Sequence, residues 1–187
     1  MTEVRSRREY AWLSCRAKAC CARGADVTDA DIARIATGLA LDPINVVATE
    51  PAVDGDPVAV ALGPTRRVRL HLVTTTTGCV FLLRTRSGAG RCGLGDLAPA
   101  ACRIFPADPC RPEPAVRPEP GCTCRRWTET DVADAPVVRA NQELTAWREL
   151  IARWNAYAVE VAEGLELDDF LRYVLHVRAE LDGGAAW

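Results

Sequence analysis

Nine cysteines in 187 residues constrain this chain more than any other feature, because the rest of the sequence limits the chemistry they can enter. The stretch from Met1 to Tyr10 is charged, and no apolar run of secretory length follows it, so a cytoplasmic protein is expected. Structural disulfides are rare in that reducing compartment, and an odd number of cysteines does not close into pairs. Thiolate-metal chemistry is therefore favoured over a disulfide framework. With 49% hydrophobic and 26% charged residues the chain has the composition of a folded protein rather than a disordered or coiled-coil one. Net charge is -2, and Lys18 is the only lysine among 23 basic residues. Such a chain has no global basic field for phosphates, so no nucleic-acid partner is expected. No run of about 18 apolar residues occurs, so no membrane partner is expected either.

The cysteines fall in groups: Cys15, Cys20 and Cys21 near the start, Cys79, Cys92, Cys102 and Cys110 in the middle, then Cys122 and Cys124. Residues 22–78 and 125–187 have none. A shared site must then be closed by the fold, with the segment 22–78 looping out between its ligand groups. That segment is structured. Thr28 and Asp31 form the pattern of a capping box, and Ile32, Ile35, Ala36 and Leu39 follow at helical spacing before Pro43. Val58–Leu62 and Arg67–Val73 flank a Gly63-Pro64 turn and read as a half-exposed hairpin, with His71 on its polar side. Cys79–Leu83 reads as one more short strand. From Gly88 to Gly121 the chain is rich in Gly, Pro and Cys with little periodicity, as expected of loops; Gly88-Ala89-Gly90 is a turn, and 107–121 a proline-stiffened connector.

Leu144, Trp147, Ile151 and Trp154 define one face of a helix after Pro136, and a last helix is expected from near Asp168 to Gly183. The Leu144 to Trp154 face is expected to pack on the Ile32 to Leu39 helix, with Trp127, Trp147 and Trp154 as core anchors. The expected fold class is α+β: a small, irregular, metal-stabilised domain with a short hairpin or sheet, loops wrapping a cysteine cluster, and C-terminal helices. Residues 1–187 form one domain in this reading, with 15–124 as its metal-binding part and 136–182 as its helical part.

Soft, anionic thiolates bind zinc tetrahedrally or hold an iron-sulfur cluster, and four is the usual complement for either. The spacings match neither paired C-x2-C zinc knuckles nor a ferredoxin run, so spacing alone leaves the metal open. Adjacent Cys20 and Cys21 project in different directions in an extended segment, which suits two metals, or one metal and one packing role. His71 and His176 are the only histidines and neither is near a cysteine. A His-based catalytic metal site is therefore not expected, and no dinucleotide, P-loop or serine-hydrolase motif occurs. The arginines at 5, 7, 8, 16 and 23 read as a solvated face.

Cys20-Cys21, then Val27 to Ala36, Gly78-Cys79-Val80-Phe81-Leu82, Cys92, and Cys102-Arg103-Ile104-Phe105-Pro106 together resemble the YkgJ-type, or CxxCxxCC, cysteine-cluster family of zinc- or iron-chelating proteins. A related module occurs in flagellin lysine N-methylase. Cys122-Thr123-Cys124-Arg125-Arg126-Trp127 and the Trp154-Asn155 helix resemble one branch of that family. The resemblance implies a metal site whose core is Cys20, Cys21, Cys79, Cys92 and Cys102, completed by Cys15, Cys122 and Cys124. Two departures stand out. The opening C-x2-C-x2-C-C is here Cys15-x4-Cys20-Cys21, with Ala17 in place of an inner cysteine. The Tyr and Arg expected before Pro99 are absent from Leu94 to Ala98.

The favoured cofactor is an iron-sulfur cluster of the 4Fe-4S kind, because cysteine-only ligands drawn from distant loops suit a cluster; zinc is the alternative. The functions implied are an iron-sulfur oxidoreductase or modification enzyme acting on a small-molecule or protein substrate, a structural zinc protein working through a partner surface, or a metal or cluster carrier. The sequence names no catalytic residue. Cys110 sits between prolines and is called for by no family position, so it is the expected spare. Cys→Ser at each of the other eight should lower bound metal, whereas Cys110→Ser should leave it unchanged. Full metal content in Cys79→Ser or Cys102→Ser protein would refute the ligand set.

Overall fold

The computed structural model describes residues 21, 24–108, 111, 113, 115–117, 126–161, 164–181 and 183. Its elements, in chain order, are helix α1 (Asp29–Leu39), strands β1 (Val47–Pro51), β2 (Val60–Ala61), β3 (Arg67–Leu72), β4 (Thr74–Thr75), β5 (Gly78–Cys79), β6 (Leu82–Arg84) and β7 (Gly90–Cys92), then helices α2 (Ala100–Arg103), α3 (Glu129–Val132), α4 (Ala135–Val161) and α5 (Leu167–Leu181). All strand pairs are antiparallel, in one three-stranded sheet ordered β1-β3-β2 and two two-stranded ribbons, β4-β5 and β6-β7. The fold class is α+β. No helix among the described residues is long and apolar enough to cross a membrane.

The chain divides into two compact units, each built from two stretches: Met1–Ala25 with Thr74–Leu144, and Asp26–Val73 with Thr145–Trp187. α4 contributes Ala135–Leu144 to the first and the remainder to the second.

The second unit is the apolar one. Thr28 caps α1 as its sequence pattern dictates: Asp31 N–H donates to Thr28 Oγ1 (3.2 Å) and Thr28 N–H donates to Asp31 Oδ2 (3.1 Å). Ile32, Ile35 and Ala36 are buried on the helix face, while Leu39, the last position of the periodic set, is exposed. Alternation in β3 buries Val68, Leu70 and Leu72. The sequence shows the β2–β3 hairpin but not β1, which pairs along the other side of β3 from Val47↔Leu72 to Pro51↔Val68. β1 escapes notice because its half-buried, partly polar run ends on a proline, which an edge strand tolerates. α1 packs on α5, and Arg178 of α5 lies 3.6 Å from the buried Asp29. Burial pushes the Asp29 carboxyl above its usual range, and Arg178 pulls it back.

This pairing corrects the expected docking of α1 on the Leu144–Trp154 face. The tryptophans of α4 meet α5 instead: Trp147 and Trp154 are buried against Phe170 at centroid distances of 5.8 and 5.2 Å, and Tyr173 lies 5.3 Å from Trp154. Trp154 is the hub: Tyr157 of its own helix, at 5.6 Å, joins Phe170 and Tyr173 around its large indole.

Two adjacent residues of α4 also close the open side of β2. Asn155 Oδ1 accepts from Ala61 N–H (2.7 Å), its Nδ2 donates to the Ala59 carbonyl (2.8 Å), and Trp154 Nε1–H donates to the Ala61 carbonyl (2.8 Å). The amide side chain thus takes the place of a neighbouring strand, satisfying edge groups that would otherwise be left unmade. β3 is anchored separately. Arg69 grips Asp26 with both arms of its guanidinium, at 3.0 and 2.9 Å, and reaches Asp56 at 3.4 Å.

The first unit is thinner. Its apolar cluster is Ala100, Ile104, Ala107, Val132, Val137 and Ala140, with Val116 packed against it. Among the described residues, Ile104 alone of the ten largest fully buried side chains belongs to this unit, with Leu94, Phe105 and Leu144 nearly as buried; Phe170, Ile32, Ile35, Leu72, Leu150, Ile151, Leu171, Val27 and Val46 belong to the other.

The single strand expected over Cys79–Leu83 is two strands. Gly78–Cys79 pairs with Thr74–Thr75 and Leu82–Arg84 pairs with Gly90–Cys92, with Val80 and Phe81 turning the chain from one partner to the next. The turn expected at Gly88-Ala89-Gly90 falls at Arg86–Gly88, with Gly88 at a φ of 80°, while Gly90 already pairs with Arg84 in β7; it closes the β6-β7 hairpin within a stretch expected to be loop. His71 is half-buried rather than solvated, and its Nδ1–H donates to the Leu72 carbonyl (2.8 Å). The arginine-rich opening and most of the proline-rich connector lie outside the described residues.

Replacing Asn155 with Ala should destabilise the protein by about 1–3 kcal/mol in denaturant unfolding, because Ala59 and Ala61 lose partners that water does not fully replace. Arg153→Ala, two residues away at an exposed position, should stay within about 0.5 kcal/mol of the parent. Equal, small effects would mean that the amide does not hold the strand edge.

Candidate metal centre

The cysteine-bearing segments are positioned by backbone constraints rather than by a large core. Cys79 ends β5, opposite Thr74, and follows Gly78 at a φ of 118°, a conformation that glycine adopts without strain. Only Val80 and Phe81 separate Cys79 from Leu82, and Leu82 lies directly across the ribbon from Cys92. The hairpin therefore returns the chain, after its excursion through 83–91, to the level it left just beyond Cys79. Gly93 lets it close there. Its N–H donates to the Phe81 carbonyl at 2.8 Å, and a Cβ at Gly93 would sit 3.1 Å from that same oxygen.

Cys102 belongs to α2, the short helix that follows Pro99. Its N–H donates to the Pro99 carbonyl (2.9 Å), and its own carbonyl accepts from Phe105 N–H (3.2 Å). Cys21 stands in a helical turn before α1 and is buried, whereas Cys79, Cys92 and Cys102 are half-buried. Among the described residues no disulfide joins one of these four cysteines to another.

Four of the five core positions named from the sequence are thus described: Cys21, Cys79, Cys92 and Cys102. Cys20, Cys15, Cys122, Cys124 and the proposed spare Cys110 lie outside the described residues. Among the described residues no group of three His, Cys, Asp or Glu side chains is gathered to hold a metal ion. Neither histidine joins a cysteine: His71 bonds to backbone, and exposed His176 lies 3.3 Å from Glu180.

As a donor set the cysteines suit a soft metal, since sulfur is the only strong ligand type they supply and three of the four described thiols are reachable from solvent. Where they occur in the chain matters more. All nine cysteines of the sequence fall within the residue ranges of the first unit and none within those of the second. The unit with the small Ala and Val cluster has every thiol.

Sequence reasoning passed over a cleft of about 320 Å3 in this unit, lined by Asp108, Arg111, Ala115, Val116, Trp127, Thr128 and Glu129. Its floor is the bridge between Ala107 and Val116, buttressed by Arg117, whose Nε–H donates to the Ala107 carbonyl (3.0 Å) and whose guanidinium stands 5.8 Å from the Phe105 ring centroid. Periodicity has no purchase on such a segment, because isolated bridges leave no repeating pattern of apolar residues. Trp154 and Asn155, singled out by resemblance, have the structural role at β2 described above and take no part in the cysteine unit.

No family model, curated protein or solved structure matches this chain.

Proposed function

We propose that this is a metal-binding cysteine-cluster protein whose metal completes the fold of the first unit. The observation that supports it is the complementary distribution of sulfur and apolar bulk: nine cysteines on one side of the division, and, among the described residues, nine of the ten largest fully buried side chains on the other. Ordering backbone costs about 1–2 kcal/mol per residue. Among the described residues, a cluster of three alanines, three valines and one isoleucine, with Leu94, Phe105 and Leu144 also buried, offsets part of that, and thiolate-metal bonds, at about 10 kcal/mol or more per structural site, are of a size to supply the rest.

In this proposal Cys20, Cys21, Cys79, Cys92 and Cys102 hold the cofactor, with Cys15, Cys122 and Cys124 completing its ligands. The cofactor proposed is an iron-sulfur cluster of the 4Fe-4S kind, which when bound supplies one-electron chemistry or a reactive iron for redox or substrate-modification reactions. The chain's own contribution is to fix the sulfurs. The β6-β7 hairpin returns Cys92 toward Cys79, α2 presents Cys102 on a turn braced by Pro99 and Phe105, and the turn at Cys21 shields its thiol from solvent.

Anaerobic purification followed by elemental analysis and absorption spectroscopy tests this reading. The expected product is brown, contains iron and acid-labile sulfide in equal amounts, and bleaches on reduction. A colourless protein with zinc bound to cysteine would replace the cluster with a structural zinc site, and protein that folds with neither metal would overturn both.

A further inference from the structure

The segment Pro57–Gly95 contains six arginines and no Asp or Glu, and three of those arginines crowd one exposed ribbon of the first unit. Arg84, Arg86 and Arg91 are all exposed on the β6-β7 hairpin. None forms an ion pair among the described residues, and the Arg84 guanidinium meets only the Gly88 carbonyl, at 3.5 Å. The ribbon is also an open edge. Gly93 N–H bonds to the Phe81 carbonyl and Thr85 N–H to the Ala89 carbonyl, and antiparallel pairs alternate between bonded and non-bonded rows. Leu82↔Cys92 and Arg84↔Gly90 are therefore the non-bonded rows, and the backbone N–H and C=O of Leu82 and Arg84 point away from β7. Among the described residues the β6-β7 sheet has two strands, and no third strand uses these groups. Leu83, directly across from Arg91, is 62% exposed.

We propose that β6 takes an extended, carboxylate-rich segment of a partner protein as a third strand. Unpaired strand edges bind peptides through main-chain hydrogen bonds, and side chains at the edge select among them. Here the selecting groups are three guanidinia without counter-charge among the described residues, which favour Glu and Asp, and the exposed Leu83 adds apolar contact area beside Arg91. A nucleic acid satisfies the charges but has no peptide backbone whose N–H groups could pair with the edge carbonyls, and the chain's net charge of -2 opposes a long polyanion elsewhere on the surface. The inference rests on the hairpin, not on the metal reading.

The test uses the full chain as purified, at low salt, with a fluorescein-labelled peptide of alternating Glu and Thr, its Gln counterpart, and a single-stranded oligonucleotide of similar length. Fluorescence anisotropy should show binding of the Glu peptide, weakened about tenfold or more by the combined Arg84→Glu, Arg86→Glu and Arg91→Glu substitutions, which sit at exposed positions. Hydrogen exchange should show new protection at the Leu82 and Arg84 amides when the peptide is bound. Unchanged affinity in the triple variant, preference for the oligonucleotide, or no protection at those amides would overturn the proposal, and the arginines would then be guards against edge-to-edge aggregation. Metal content measured on the same samples separates the two readings: metal without peptide binding removes only this inference, and peptide binding without metal removes only the proposed function.

Discussion

Ordering a protein backbone costs about 1–2 kcal/mol per residue, and the apolar side chains that offset that cost are spread unevenly along this chain. Phe170, Trp147 and Trp154 stack in one core with Leu150, Ile151 and Leu171 around them, and the α1 face and the sheet add Ile32, Ile35, Val46 and Leu72. All belong to Asp26–Val73 and Thr145–Trp187. Among the described residues the other unit buries Ile104, Leu94, Phe105 and Leu144 with small alanines and valines, and in this account its ordering draws on another source of free energy. That single imbalance gives the cysteines their importance.

The polar contacts follow the same division. In the apolar unit, side chains finish what burial begins: Asn155 and Trp154 close the edge of β2, Arg69 clamps Asp26 and Asp56, and Thr28 with Asp31 caps α1. Each is a buried or half-buried hydrogen bond whose loss leaves an orphaned group, which is why such contacts matter more than their net energies. In the cysteine unit, backbone turns set the course of the segments that carry the cysteines. Gly78, Gly88 and Gly93 allow the chain to reverse closely, and Pro99 and Phe105 brace the turn of Cys102. Such contacts shape loops without filling a core.

The α1 cap, the β2–β3 hairpin and the two long C-terminal helices were legible in the sequence because each rests on a local pattern: a Thr28/Asp31 pair, alternation from Val68 to Leu72, apolar spacing from Leu144 to Trp154. What partners what was not legible. Leu144 and Trp154 look like one continuous face at helical spacing, yet the units divide between Leu144 and Thr145, and only the three-dimensional position of Phe170 decides where the tryptophans go. The split of Cys79–Leu83 into two strands was hidden for a similar reason: five residues favouring strand do not reveal that their partners lie on opposite sides in sequence, at Thr74 and at Cys92. For the candidate centre, the grouping of cysteines around a looped-out segment was visible from spacing alone, because Asp26–Val73 contains no cysteine. The open, arginine-bearing edge of β6 was not, since it depends on which rows of the hairpin are bonded.

Hydrogen exchange resolved by segment, on protein purified anaerobically and again after the metal is chelated, tests most directly whether metal replaces the missing core. The account predicts that chelation strips protection from 79–108, including the ribbon and α2, and leaves α1, β3, the Thr145–Val161 part of α4, and α5 protected by their own packing. Protection of 79–108 that is unchanged by removing the metal would contradict it, because a unit so poor in buried apolar bulk would then be holding itself together by other means.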